Sequence, residues 1–302
     1  MVSPAELNAM RRAIALAAFG LGGTSPNPPV GCVILDSSGR VVGQGYHQRK
    51  GSAHAEANAL AAAGNRAYAG TAVVTLEPCN HYGRTPPCHQ ALLEAGIVRA
   101  VIAVIDPTSR GEGGAARLRA LGMDVQTGVL ADEALLVLGP WLTAIRTIRP
   151  RLVWPYGINA NGILDSRAAE LGAEPLYRAA DVVLHADGKV EEAVPGSHGV
   201  DMVSGAPVTL AAGPRAVMAE LYQGGVRSVI LNGGPELAEP FVTQGFVDQV
   251  VVHLASHESS SRPFPGSGSF LPPGFQLTET TRHEGYVRLV AVPATSNDRR
   301  NP

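Results

Sequence analysis

His54-Ala55-Glu56-Ala57-Asn58-Ala59-Leu60 and, further along, Thr75-Leu76-Glu77-Pro78-Cys79-Asn80-His81-Tyr82-Gly83-Arg84-Thr85-Pro86-Pro87-Cys88 are the two stretches from which the N-terminal half is read. One imidazole (His54) and two thiolates (Cys79, Cys88) form a three-ligand set for zinc that leaves the fourth tetrahedral position open. Three protein ligands suit catalysis, whereas a structural site would want four. Zinc lowers the pKa of its water to about 7, which supplies hydroxide at neutral pH. Glu56 stands two residues from His54, and positions i and i+2 do not share a helix face. With His54 inside a helix, Glu56 is therefore expected to face the reacting water as its proton shuttle, not to act as a ligand. Cys88 is expected to open a helix, where the N-terminal dipole favours thiolate.

Around this core the pattern alternates. Ser3, Pro4 and Glu6 spell a capping box for a first helix. A Gly/Pro-rich loop ending in Pro26-Asn27-Pro28-Pro29 leads into a strand at 30–35, and a turn at 36–39 into a second at 41–46. A helix from 54 to 63, a strand at 71–76, a helix at 88–95 and a strand at 100–105 follow. A helix at 114–121, a strand at 123–127 and a helix at 131–145 complete an α/β layered domain. With 302 residues, two domains are expected, 1–147 and 148–302. In the second, strand-like runs fall at 152–154, 181–184, 208–210, 228–231 and 249–254, and helix-like runs at 214–223 and 235–244. The 256–269 stretch reads as a Ser/Pro/Gly-rich loop, and the last residues as a frayed tail.

The formal net charge of −2 gives no basic field for nucleic acid. The N-terminus lacks a secretory layout and no apolar run spans a bilayer, so a cytoplasmic chain without a membrane partner is expected. Three cysteines make no disulfide framework. Cys32 reads as core, which leaves Cys79 and Cys88 as a pair needing an explanation.

The order H-x-E, P-C and a second Cys is the zinc-deaminase pattern, here with Asn80–Pro87 inserted between the cysteines. The two stretches quoted above closely resemble the deaminase domain of the riboflavin-biosynthesis deaminase/reductase family. Pro26-Asn27-Pro28-Pro29-Val30-Gly31-Cys32-Val33 resembles that family's entrance loop. The resemblance implies a three-layer α/β/α cytidine-deaminase-like fold, with Zn²⁺ on His54, Cys79 and Cys88 and Glu56 as proton shuttle. It implies a phosphorylated aminopyrimidine substrate, 2,5-diamino-6-ribosylamino-4(3H)-pyrimidinone 5′-phosphate, with Asn27, His47, His81 and Arg84 as substrate contacts. Asn58 stands where the family's helix is expected to carry a second histidine.

Arg149-Pro150, Asn159-Ala160-Asn161-Gly162, the 181–190 segment and Leu231-Asn232-Gly233-Gly234 resemble the family's reductase domain, which implies a dihydrofolate-reductase-like α/β fold and NADPH as coenzyme. Pro155 replaces an expected lysine, Asn161 an aspartate, and Asn232 an acid; Asp187 and Lys189 flank Gly188 where a small residue and a threonine are expected. These losses predict a domain that keeps its fold but has lost efficient hydride transfer, and that could instead serve as the surface of a homodimer. Open beside this reading are a full bifunctional enzyme, a deaminase of a related aminopyrimidine or purine metabolite, and a structural zinc module with His81 as fourth ligand.

Overall fold

Ser3 caps the first helix: its side chain accepts the Glu6 N–H while the Glu6 carboxylate accepts the Ser3 N–H, the reciprocal box the sequence spells. The computed structural model describes residues 1–80, 86–109, 111–159, 163–170, 173–197, 207–255 and 270–294. His81, Arg84, Asn161, the 256–269 loop and the 296–302 tail lie outside the described residues. The chain divides into two compact units, Met1–Ile145 and Arg146–Pro302.

The first unit contains α1 (Pro4–Ala18), β1 (Gly31–Leu35), β2 (Val41–Tyr46), α2 (Ala55–Ala63), β3 (Thr71–Leu76), α3 (Cys88–Glu94), β4 (Arg99–Val104), α4 (Gly113–Ala120), β5 (Asp124–Thr127) and α5 (Ala131–Thr147), whose last two residues fall past the division. The strands form one sheet in the order β2-β1-β3-β4-β5. β1 is antiparallel to β2 and β3, and β3, β4 and β5 run parallel. Alternate side chains serve opposite faces. Cys32, Ile34, Val74 and Ile102 pack with Ala55 and Ala59 of α2, Leu92 of α3 and Leu118 of α4. Val33, Val73 and Val101 pack with Met10 and Ala13 of α1 and with Leu138 and Trp141 of α5. Both faces are covered, which gives the three-layer α/β/α arrangement and explains why β1 reads as an unbroken apolar run.

Two glycines set the height of α2 over the sheet. A Cβ on Gly43 would lie 2.2 Å from the Ala59 carbonyl oxygen, and one on Gly45 2.5 Å from the Asn58 Cβ. Only bare backbone in β2 lets the alanine-rich helix settle this closely, and α2 carries the site. Cys79 follows β3 and Asp106 follows β4, so both leave the sheet at the carboxyl ends of parallel strands, where α/β sheets form their crevices.

The second unit contains β6 (Arg151–Ile158), α6 (Ser166–Glu170), α7 (Glu174–Ala179), β7 (Val182–His185), β8 (Val190–Glu192), α8 (Pro214–Gln223), β9 (Ser228–Asn232), α9 (Pro235–Thr243), β10 (Val247–Ala255), β11 (Phe275–His283) and β12 (Tyr286–Pro293). The sheet order is β11-β12-β10-β6-β9-β7-β8. Met218 and Leu221 of α8 and Phe241 of α9 cover one face; Leu176 and Tyr177 of α7 pack against Val153, Val183 and Ile230 on the other. The strand expected at 208–210 does not form. Val208 is buried because its N–H bonds to Gly188 and its side chain enters the core, and a short 3₁₀ turn, Leu210–Ala212, follows it. Its apolar character came from packing, not from a ladder.

Candidate metal centre and active-site cavity

His54 is the N-cap of α2, in extended conformation, and not a residue within the helix as the sequence suggested. Its Nδ1 lies 3.2 Å from Cys88 Sγ and 3.7 Å from Cys79 Sγ. Cys88 is the first residue of α3, as expected, and its N–H donates to Cys79 Sγ at 3.2 Å. The three donor atoms all lie within 4.8 Å of one another. Bonds of about 2.0–2.3 Å in a tetrahedron would hold such atoms about 3.5–3.8 Å apart, so the spacing and the donor chemistry both suit zinc. Hydrogen bonds from Cys88 and His54 hold the Cys79 thiol down to about 4 against the cost of its burial. The Cys88 thiol is pushed up, first by its hydrogen bond to Cys79 and then by burial.

Glu56, in the first turn of α2, is buried beside this cluster. Burial and the neighbouring Cys79 charge raise its carboxyl to about 7. A carboxyl poised there can accept a proton or give one up at neutral pH. Glu56, His54 and Cys79 line a cavity of about 290 Å³, together with Asn27 and His47. Of the eight residues singled out in the sequence, these five line that cavity and Cys88 joins them through the ligand cluster. His81 and Arg84 lie outside the described residues.

The walls carry side chains that motif reading passed over. Asp106 and Thr108 come from the loop after β4, Glu77 from the end of β3, and Trp141 and Ile145 from α5. Trp141 reads in the sequence as one more apolar helix residue. Its indole Nε1–H donates to the Pro26 carbonyl at 3.0 Å and so pins the entrance loop.

A hydrogen-bonded chain continues from that loop. Asn27 Nδ2 lies 3.2 Å from His47 Nε2, and His47 Nδ1 lies 3.1 Å from the Ala53 carbonyl. The consistent assignment has His47 donate from Nδ1 and accept from Asn27 at Nε2. Burial lowers the His47 pKa, which keeps the ring neutral for that role. Ala53 directly precedes His54, whose ring meets that of His47 edge-on, centroids 5.4 Å apart. Asn58 ties the same segment to α2: its Nδ2 donates to the Tyr46 carbonyl at 2.9 Å.

Fold and site together define a zinc-binding deaminase of the cytidine and deoxycytidylate type. The family pattern of that zinc-binding region matches residues 4–104, and that of the RibD C-terminal domain matches residues 185–258. The riboflavin biosynthesis protein RibD of Mycobacterium tuberculosis is 35% identical over 274 residues, covering 78% of this chain and 80% of that protein. The diaminohydroxyphosphoribosylamino-pyrimidine deaminase of Buchnera aphidicola is 51% identical over 126 residues, 41% of this chain and 85% of its own length. Among solved structures, a deaminase/reductase from Thermotoga maritima superposes with a TM-score of 0.78 at 23% identity, covering 96% of this chain and 99% of that one, a likeness that carries the fold.

The chain belongs to the RibD family of riboflavin-biosynthesis deaminase/reductases. It is an enzyme with a zinc-binding deaminase domain, and its second unit is the RibD reductase-type domain, of the dihydrofolate-reductase-like fold expected from the sequence. Among the described residues, no helix is long and apolar enough to cross a membrane.

Proposed function

We infer that the first unit hydrolytically deaminates 2,5-diamino-6-ribosylamino-4(3H)-pyrimidinone 5′-phosphate, and that the reductase-type unit is impaired. The observation that carries the first part is a buried Glu56 beside a His54–Cys79–Cys88 cluster in one cavity. A zinc ion bound there would supply a water activated at neutral pH. Glu56 takes the proton that water gives up and delivers it to the departing ring amine, so one water is consumed and one ammonia released. Asn27, held by His47, offers amide hydrogen-bonding groups to the ring edge. Arg84 is assigned to the phosphate, for which a guanidinium is well shaped, and His81 to the same loop's substrate contacts. The Buchnera deaminase, whose 126 matching residues make up 85% of its own length, supports reading the first unit as a self-sufficient deaminase.

Impairment of the second unit rests on its substitutions. Pro155 lies mid-strand in β6, paired with Val251 of β10, where it contributes neither a cation nor a backbone donor. Lys189 is engaged by Glu191, its N–H bonds to Asp187, and Asn232 faces His185 Nδ1 at 3.4 Å. The RibD-type domain makes NADPH the coenzyme to test. The test is one assay with the aminopyrimidine phosphate and NADPH together, following ammonia release and NADPH oxidation in parallel. Ammonia without NADPH oxidation is expected. Both signals would restore the full bifunctional enzyme, and neither, with zinc bound, would point to a different amine substrate.

A further inference from the structure

The carboxylate of Glu77 leaves the end of β3 two residues before Cys79 and is buried, at 4% exposure. Three donors from one distant stretch converge on it. Its Oε2 accepts the Asp106 N–H at 3.2 Å and the Ser109 hydroxyl at 2.9 Å, and its Oε1 accepts the Ala115 N–H at 2.8 Å. Ala115 stands in the first turn of α4, where backbone N–H groups have no partner within the helix. The local N-cap, Glu112, makes no side-chain capping bond. Glu77 therefore caps α4 from across the sheet, with a negative charge at the positive end of the helix dipole.

The backbone is built to admit it. Gly113 has φ +83°, and a Cβ there would lie 2.5 Å from Glu77 Oε1; a Cβ on Gly114 would lie 1.8 Å from the Pro78 carbonyl oxygen. Without side chains at both positions, the start of α4 closes directly on Glu77-Pro78. The segment so clamped contains Asp106 and Thr108, which form the cavity wall with Cys79 and Glu56.

We propose that Glu77 is a positioning residue of the deaminase: one carboxylate locks the ligand Cys79 and the Asp106–Thr108 wall into a single rigid unit. This rests on the zinc deaminase reading of the same site. Glutamine at 77 has one acceptor oxygen in place of two and adds an N–H₂ group. Ser109 can turn its hydroxyl to meet that group, but the amides of Asp106 and Ala115 cannot reverse, so one buried donor is left without an acceptor.

The test compares zinc-loaded wild type, Glu77→Gln and Leu118→Ala, the last a core residue of the same helix α4, one turn beyond Ala115, that makes no bond to Glu77. Zinc release to a chelating dye is followed alongside thermal unfolding and steady-state deamination. Residues that orient metal ligands typically change affinity or activity by about 10–100-fold when altered. Glu77→Gln is expected to release zinc about tenfold faster and to lose kcat/KM by a similar factor. Leu118→Ala, at a comparable loss of Tm, should release zinc at the wild-type rate. Glu77→Gln behaving like wild type, or no differently from Leu118→Ala, overturns the proposal. If Glu77→Gln does not fold, Ser109→Ala decides: faster zinc release supports the clamp and a wild-type rate overturns it. A wild-type chain that takes up no zinc would sink the deaminase reading as well, which separates the two failures.

Discussion

Asn27 and His47 meet side chain to side chain, Asn27 Nδ2 to His47 Nε2 at 3.2 Å, while the other His47 nitrogen reaches the Ala53 carbonyl. The imidazole thus joins the entrance loop to the residue before His54. Replacing it with a ring of similar shape but no nitrogens, His47→Phe, leaves the Asn27 amide and the Ala53 carbonyl without these partners. Each lost hydrogen bond of this half-buried kind is worth about 1 kcal/mol. The expected result is a rise of about tenfold or more in KM for the aminopyrimidine phosphate, with zinc content unchanged. Steady-state kinetics with metal analysis checks it; an unaltered KM would show that the chain of bonds does not hold Asn27 for substrate.

Trp141→Phe keeps an aromatic surface on α5 but removes the donor to the Pro26 carbonyl. A lost hydrogen bond of this kind is worth about 1 kcal/mol, so a modest fall in Tm is expected together with a severalfold rise in KM. If Tm falls and KM stays, Trp141 serves the core alone.

Glu56→Gln keeps shape and burial but removes the group that carries the proton. General acid–base groups contribute about 10²–10⁴-fold, and kcat should fall within that range while zinc stays bound. Ammonia release at the wild-type rate would show that another group moves the proton.

Much of this site was legible because its chemistry is local in sequence. His54, Glu56, Cys79 and Cys88 are identifiable from residue type and order, and the structure brings them together. Ser3 and Glu6 give the first helix in the same way. What escaped is held by distant partners: Trp141 looks like any apolar helix residue until its indole meets Pro26, and Glu77 like part of a metal motif until α4 arrives on it. The edge strand β11 is hard to read because four of its consecutive residues, Leu277 to Thr280, are exposed, which leaves no alternation. β12, by contrast, is an apolar, β-rich run, Tyr286–Pro293, that follows the positive-φ Gly285 of the turn.

Stability should depend on pH through Glu6. Burial raises its carboxyl, but hydrogen bonds from Arg99 and from Ser3 outweigh this, and the net pKa is lowered. Its contribution is therefore fully present above the unfolded carboxylate value of about 4.3 and is lost as pH falls through the lower folded value. In urea unfolding at a series of pH values, wild type should exceed Glu6→Gln in stability near neutrality, and the gap should narrow below about pH 4. A gap that stays constant or widens on acidification would contradict the assignment.

On the proposed reading, deamination depends on a zinc ion held by His54, Cys79 and Cys88. The most direct measurement is ammonia release from the diaminopyrimidinone phosphate by protein stripped of metal, before and after addition of one equivalent of zinc. No release is expected from the stripped protein, with recovery on adding zinc and no recovery in Cys88→Ser. Equal ammonia release with and without metal would contradict it.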